Sequence, residues 1–137
     1  RLSKEKIITQ VQLNDKMPPV YNNKSGFEEA LLNICMNALD AIGSVGTIYL
    51  ETEIRDNNVA VIVGDSGPGI PSAERSRMFE PFVTSKEVGK GTGLGLYVSR
   101  EIIGSMGGEI SYSTSNLGGA EFTIELPIQI ELDEEME

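Results

Sequence analysis

Between Ser25 and Ile42 apolar side chains return every three or four residues: Phe27, Ala30, Leu31, Ile34, Cys35, Ala38, Leu39 and Ile42. That is the period of a helix with one face on a core. Ser25 and Glu28 have the spacing of a capping box, and Gly43 supplies a stop. Elsewhere the period shortens. "KIITQVQL" (6–13) predicts a strand, and "MPPVYNN" a turn with a short extended piece. "GTIYLETEIRD" (46–56) and "NNVAVIVGDS" (57–66) predict two strands joined as a hairpin. "SAERSRMF" (72–79) predicts a short helix after Pro71, and residues 81–91 have no period and read as a loop. A second long helix is expected from about Thr92 to Met106, ended by Gly107 and Gly108. "EISYSTS" and "AEFTIELPI" are strands around the turn "NLGG".

These elements assemble into an α/β two-layer sandwich. A mixed, largely antiparallel sheet of about five strands carries two long helices on one face. The order is not the steady strand–helix alternation of a doubly wound sheet.

Composition narrows the function. A chain of 137 residues reads as one domain, and its start at Arg1 suggests a piece of a longer protein. The domain is expected over residues 1–130, with "ELDEEME" (131–137) as an acidic tail or linker. Acids outnumber bases 21 to 11, which argues against nucleic-acid binding. The absence of histidine removes Ser–His and Cys–His nucleophile pairs and the usual zinc sites. The single cysteine, Cys35, cannot form an internal disulfide and reads as a small buried hydrophobe. A reducing, cytoplasmic location fits, and no apolar run is long enough to cross a bilayer.

Three local patterns then carry chemistry. The stretch "GKGTGLGLYVSREI" (89–102) places Gly89, Gly91, Gly93 and Gly95 just before a predicted helix. It matches neither the dinucleotide-binding fingerprint nor the P-loop. Backbone N–H groups at a glycine-rich helix start nevertheless favour an anion. On the first helix, Glu29, Asn33, Asn37 and Asp40 fall together along the edge of the apolar arc. An amide oxygen there can ligate a Mg²⁺ that also holds phosphate oxygens. In "VAVIVGDSGPGI" the apolar strand ends at Asp65, followed by Gly67 and Gly69. An ionised carboxylate only accepts hydrogen bonds, so Asp65 suits the exocyclic amine of adenine and not the carbonyl of guanine.

Taken in order, "NICMNALDA", "DSGPGI", "MFEPFVTSK" and "GTGLGL" resemble the N, G1, F and G2 boxes of the ATP-binding catalytic domain of sensor histidine kinases. That domain has the Bergerat fold, shared with gyrase, the ninety-kilodalton heat-shock chaperones and mismatch-repair ATPases. "PFVTSK" and "NALDAI" are similar to the nitrogen-regulation type of sensor kinase. The resemblance spans residues 5–128. It implies that Asn37 ligates Mg²⁺, with Asn33 one turn before it and Asp40 beside it. It implies that Asp65 holds adenine, with Gly67, Gly69 and Ile70 lining the base and Thr123 near it. Phe79 and Phe82 correspond to the F box, and residues 83–90 to a lid. Lys86 and Lys90 would pair with phosphate oxygens, and Gly91, Thr92, Gly93, Leu94, Gly95 and Leu96 would surround the phosphates.

The resemblance also implies a reaction. In the chaperone and gyrase relatives a Glu one turn before the metal-binding Asn serves as general base for water. Asn33 stands there in this chain and cannot take a proton. The expected activity is therefore that of a protein-histidine kinase in a two-component system, with ATP and Mg²⁺ as cofactors and Asn33, Asn37 and Lys86 as catalytic residues. The acceptor histidine would lie on a separate dimerisation domain, with a response regulator downstream and a homodimeric parent. The rival readings are an ATPase of the gyrase kind, an anti-sigma type serine kinase, and a degenerate module that no longer catalyses.

Overall fold

The structure is a computed structural model that describes residues 6–14, 17–18, 23–81 and 95–128. In chain order its elements are β1 (Lys6–Gln12), α1 (Lys24–Ile42), β2 (Val45–Arg55), β3 (Asn58–Asp65), α2 (Ser72–Arg75), α3 (Gly95–Ser105), β4 (Glu109–Thr114) and β5 (Ala120–Pro127). The five strands form one sheet in the order β1-β2-β3-β5-β4. Among the described strands only β1 and β2 run parallel, joined through α1. The remaining pairs are antiparallel, so the mixed, largely antiparallel sheet expected from the sequence is present.

Strand alternation sorts the side chains into two faces. Val59, Val61 and Val63 on β3 lie opposite Leu126, Ile124 and Phe122 on β5. Val61, Val63, Phe122, Ile124 and Leu126 join Ile48 and Ile110 in the main core, against Ala30, Ile34, Ala38 and Ile42 of α1 and Ile103 of α3. The other face holds a smaller buried group, Tyr49, Ala60 and Ile62. The Tyr49 hydroxyl donates to Glu121 Oε1 at 2.5 Å. Burial, and then the Glu121 carboxylate, push the Tyr49 phenol up to about 12.

The helix limits differ from the sequence reading in two places. Asn23, not Ser25, is the N-cap of α1: its Oδ1 accepts from the Gly26 N–H at 3.2 Å. The Phe27 N–H donates to the Asn23 carbonyl at 2.8 Å, so the first turn is already closed when the chain reaches Ser25. At the other end Gly43 adopts φ 66° and its N–H donates to the Leu39 carbonyl, as a helix stop should. The second difference is α2. It stops at Arg75, and residues 76–79 continue as turns that bury Met78.

α1 and α3 lie side by side because small residues line their contact. A methyl group added at Gly26 would come within 3.0 Å of Ile102 Cγ2. Ala30 and Ser99 are both fully buried between the helices. Cys35 is half-buried against the same core, and burial pushes its thiol pKa up. Among the described residues no helix is long and apolar enough to cross a membrane.

Candidate nucleotide-binding site

Asp65 ends β3 on the helix-bearing face of the sheet, in line with Val61 and Val63 and opposite Ile48. It is a charged residue only 3% exposed, and the structure prepares a place for it. Its Oδ1 accepts from the Gly67 N–H at 2.8 Å and from the Ala120 N–H at 3.2 Å. Burial raises its pKa, and these two backbone donors partly offset the rise. Both bonds fall on Oδ1, which leaves Oδ2 as the oxygen for a donor on a ligand.

The turn between β4 and β5 holds Asp65 from outside. The buried Ser115 hydroxyl donates to the Asp65 carbonyl at 2.6 Å. It also accepts from the N–H groups of Leu117 at 3.0 Å and Gly119 at 3.2 Å. Gly119 is packed so tightly that a side chain there would overlap both Asp65 and the Gly67 nitrogen. None of Ser115, Gly119 and Ala120 was singled out by the sequence, because their contacts with Asp65 span 50 or more positions.

The loop after Asp65 runs against α1. A side chain on Gly67 would come within 3.0 Å of the Ala41 Cβ and carbonyl oxygen. The loop thus sits beside the last turns of the helix that carries Asn37 and Asp40. Gly69 takes φ 76°, a left-handed conformation that suits glycine. Ile70 is clamped at both backbone groups. Its N–H donates to the Tyr112 hydroxyl at 3.3 Å, and its carbonyl accepts from Arg75 Nε at 2.9 Å. The Arg75 guanidinium also lies 5.4 Å over the Tyr112 ring. The Ile70 side chain itself packs against the core.

The predicted stripe on α1 is real but graded. Asn33 and Asn37 are half-buried, whereas Glu29 and Asp40 are exposed. Asn33 Nδ2 donates to Ser99 Oγ at 3.2 Å and to the Gly95 carbonyl at 3.5 Å, which ties it to the first turn of α3. Phe79 packs edge-on against Phe122 at 6.3 Å between centroids, and the Arg100 guanidinium lies 5.2 Å over its ring. It therefore anchors the chain where it leaves the core.

One expected contact is corrected. Thr123 is opposite Ile62 and Ser111, so it lies on the face of the sheet away from Asp65 and the helices. The residue of β5 that reaches Asp65 is Ala120, through its N–H. The Leu96 side chain is partly buried and packs against the core. Phe82, Lys86, Lys90, Gly91, Thr92, Gly93 and Leu94 lie outside the described residues.

The site therefore gathers a buried carboxylate, a loop of glycines pressed against α1, and an edge of amides leading to the start of α3. Among the described residues no three of His, Cys, Asp and Glu stand together as a metal cage. An amide such as that of Asn37 is a hard oxygen donor of the kind Mg²⁺ takes.

The sequence of residues 22–130 matches the family described as histidine kinase-, DNA gyrase B-, and HSP90-like ATPase. The chain belongs to this family. Within this ATPase family its similarity is to sensor histidine kinases. It is 36% identical over 117 residues to the sensor histidine kinase ZraS of Escherichia coli O157:H7, covering 85% of this chain and 25% of that protein. It is 41% identical over 106 residues to the C4-dicarboxylate transport sensor protein DctB of Rhizobium meliloti, covering 76% of this chain and 17% of that one. The chain thus spans a quarter or less of these relatives. Among solved structures, the catalytic domain of the histidine kinase ThkA superposes with a TM-score of 0.78 at 32% identity, over 89% of this chain and 80% of that one. Full-length ShkA in complex with AMPPNP superposes with a TM-score of 0.76 at 29% identity, over 93% and 27%. The fold and the family are those of an ATP-binding catalytic domain of a histidine kinase.

Proposed function

We propose that the domain is cytoplasmic, binds Mg²⁺-ATP and transfers the γ-phosphate to a histidine on a separate dimerisation domain of the same protein. A response regulator would then receive the phosphoryl group, and the parent would act as a homodimer. The observation that carries this reading is Asp65. A buried carboxylate is costly, and this one accepts both of its backbone donors on Oδ1, so Oδ2 would take the donor of a ligand. The adenine amine is the donor that suits it.

Each residue then has a task. Asp65 selects the base, and Gly67 and Gly69 let the backbone come close to it. Asn37 would hold Mg²⁺, which would neutralise charge on the phosphates. The glycine run before α3, with Lys86 and Lys90, would cradle them. Asn33 replaces the general base of the hydrolytic relatives, so water is not activated and the phosphate is kept for a histidine nitrogen. Catalysis rests on positioning and charge neutralisation.

The test is phosphotransfer by the full-length parent with γ-labelled ATP. An acid-labile label on the protein that requires Mg²⁺ and is lost in Asn37→Ala is the expected result. Release of labelled phosphate without protein labelling would contradict the reading.

A further inference from the structure

Ser99 is a buried polar residue that the ATP-binding reading leaves without a task. It is fully buried on α3, at a position where an apolar residue would pack the helix pair more cheaply. Its environment defines the direction of every proton around it. The Ala30 carbonyl, 3.4 Å away, can only accept, so the single Ser99 hydroxyl proton goes there. Ser99 Oγ must then accept from its other neighbour, Asn33 Nδ2, at 3.2 Å. The Gly95 carbonyl, also an acceptor, takes the same amide nitrogen at 3.5 Å. The alternative orientation of the Asn33 amide would set its oxygen against the Gly95 carbonyl and leave Ser99 with two acceptors for one proton.

We infer that Ser99 is a positioning residue of the nucleotide site: it fixes the sense of the Asn33 amide and bolts the start of α3 to the helix that bears Asn37. This rests on the proposed Mg²⁺-ATP reading. Asn33 spends its donors on α3 and keeps its carbonyl oxygen as the group offered to the site. An acceptor suits the water shell of a cation and repels a bare phosphate oxygen. Asn33 stands one turn before Asn37 on the same edge of α1. The ligand that this oxygen serves is thus the hydrated metal, not the phosphate.

The experiment measures ATP affinity with and without Mg²⁺ in the parent domain, Ser99→Ala, Asn33→Ala and the double variant. Melting temperature is recorded for each. The quantity of interest is the ratio of the two affinities. One net hydrogen bond corresponds to a change of about threefold to tenfold. Ser99→Ala is expected to lower the Mg²⁺ ratio by about that factor. In the Asn33→Ala background the same change is expected to do nothing more, since the amide it orients is gone. A Ser99 of purely structural importance would lower the melting temperature and weaken both affinities equally, and that result overturns the inference. So do effects that multiply in the double variant. If Ser99→Ala does not fold, the half-buried Asn33→Ala gives the comparison from the other end of the bond, and an unchanged Mg²⁺ ratio there is equally fatal. Failure of the parent domain to bind ATP at all would instead contradict the function proposed above.

Discussion

Replacing Asp65 by asparagine separates what the fold needs from what the ligand needs. The bonds that hold the side chain both end on Oδ1, from the Gly67 and Ala120 N–H groups. An asparagine oxygen can accept both. The change removes a charge from a position 3% exposed, where burial already raises the carboxyl pKa. The unliganded fold should therefore be unharmed or gain stability, and a gain of about 1 kcal/mol would raise Tm by roughly 2–5 °C in a domain of this size. The ligand fares otherwise. The amide sets an N–H₂ donor against the adenine amine, so a charge-assisted hydrogen bond is lost and a donor is left unpaired. That costs about 2–3 kcal/mol, or about 30-fold to 150-fold in Kd. Calorimetric titration with ATP and thermal melting of the same samples read both quantities. The pH dependence supplies a check on sign. The folded Asp65 pKa lies above its unfolded value, so the cost of the charge is present in full above the folded pKa and relieved as pH falls through it. The Tm advantage of Asp65→Asn should shrink over that interval. A variant that binds ATP as the parent does, or that melts well below it while keeping affinity, would refute the reasoning.

The remaining predictions concern the supports of the site and the opposite face. Gly119→Ala puts a methyl group into Asp65 and the Gly67 nitrogen, so titration should show ATP affinity reduced by at least about tenfold, with a lowered Tm. Asn37→Ala should abolish most of the Mg²⁺ dependence of ATP binding while preserving preference for adenine over guanine nucleotides, as measured by titration with ATP and GTP. Tyr49→Phe removes the 2.5 Å bond to Glu121 and should lower stability by about 1 kcal/mol in urea unfolding. The folded phenol titrates at about 12, above its unfolded value, so its contribution is lost as pH rises through that interval; the parent should lose stability there more steeply than Tyr49→Phe.

Much of this architecture is legible in the chain because its periods are clean. The recurrence of Ala30, Ile34, Ala38 and Ile42 places α1 on the sheet, and the same four residues are buried. The hairpin of β2 and β3 follows from two apolar strands with a polar turn between them. The helix start was less legible, since Asn23 and Ser25 are both good caps and only the closed first turn decides between them. Thr123 shows where a resemblance misleads. Phe122, Ile124 and Leu126 face the core, so alternation alone puts Thr123 on the other side. The supports of Asp65 could not be read at all. Ser115 and Ala120 reach it across 50 and 55 positions, and nothing local marks a serine or a backbone N–H as part of a distant site. The Asn33–Ser99 bond is hidden for the same reason, since it joins two helices 66 positions apart.

The most direct test of the account is titration of the domain with ATP, ADP and GTP, each with and without Mg²⁺. The account predicts binding of the adenine nucleotides over GTP, with ATP binding strengthened by Mg²⁺. Equal affinity for ATP and GTP would contradict the assignment of Asp65, and absence of binding to all three would contradict the nucleotide site itself.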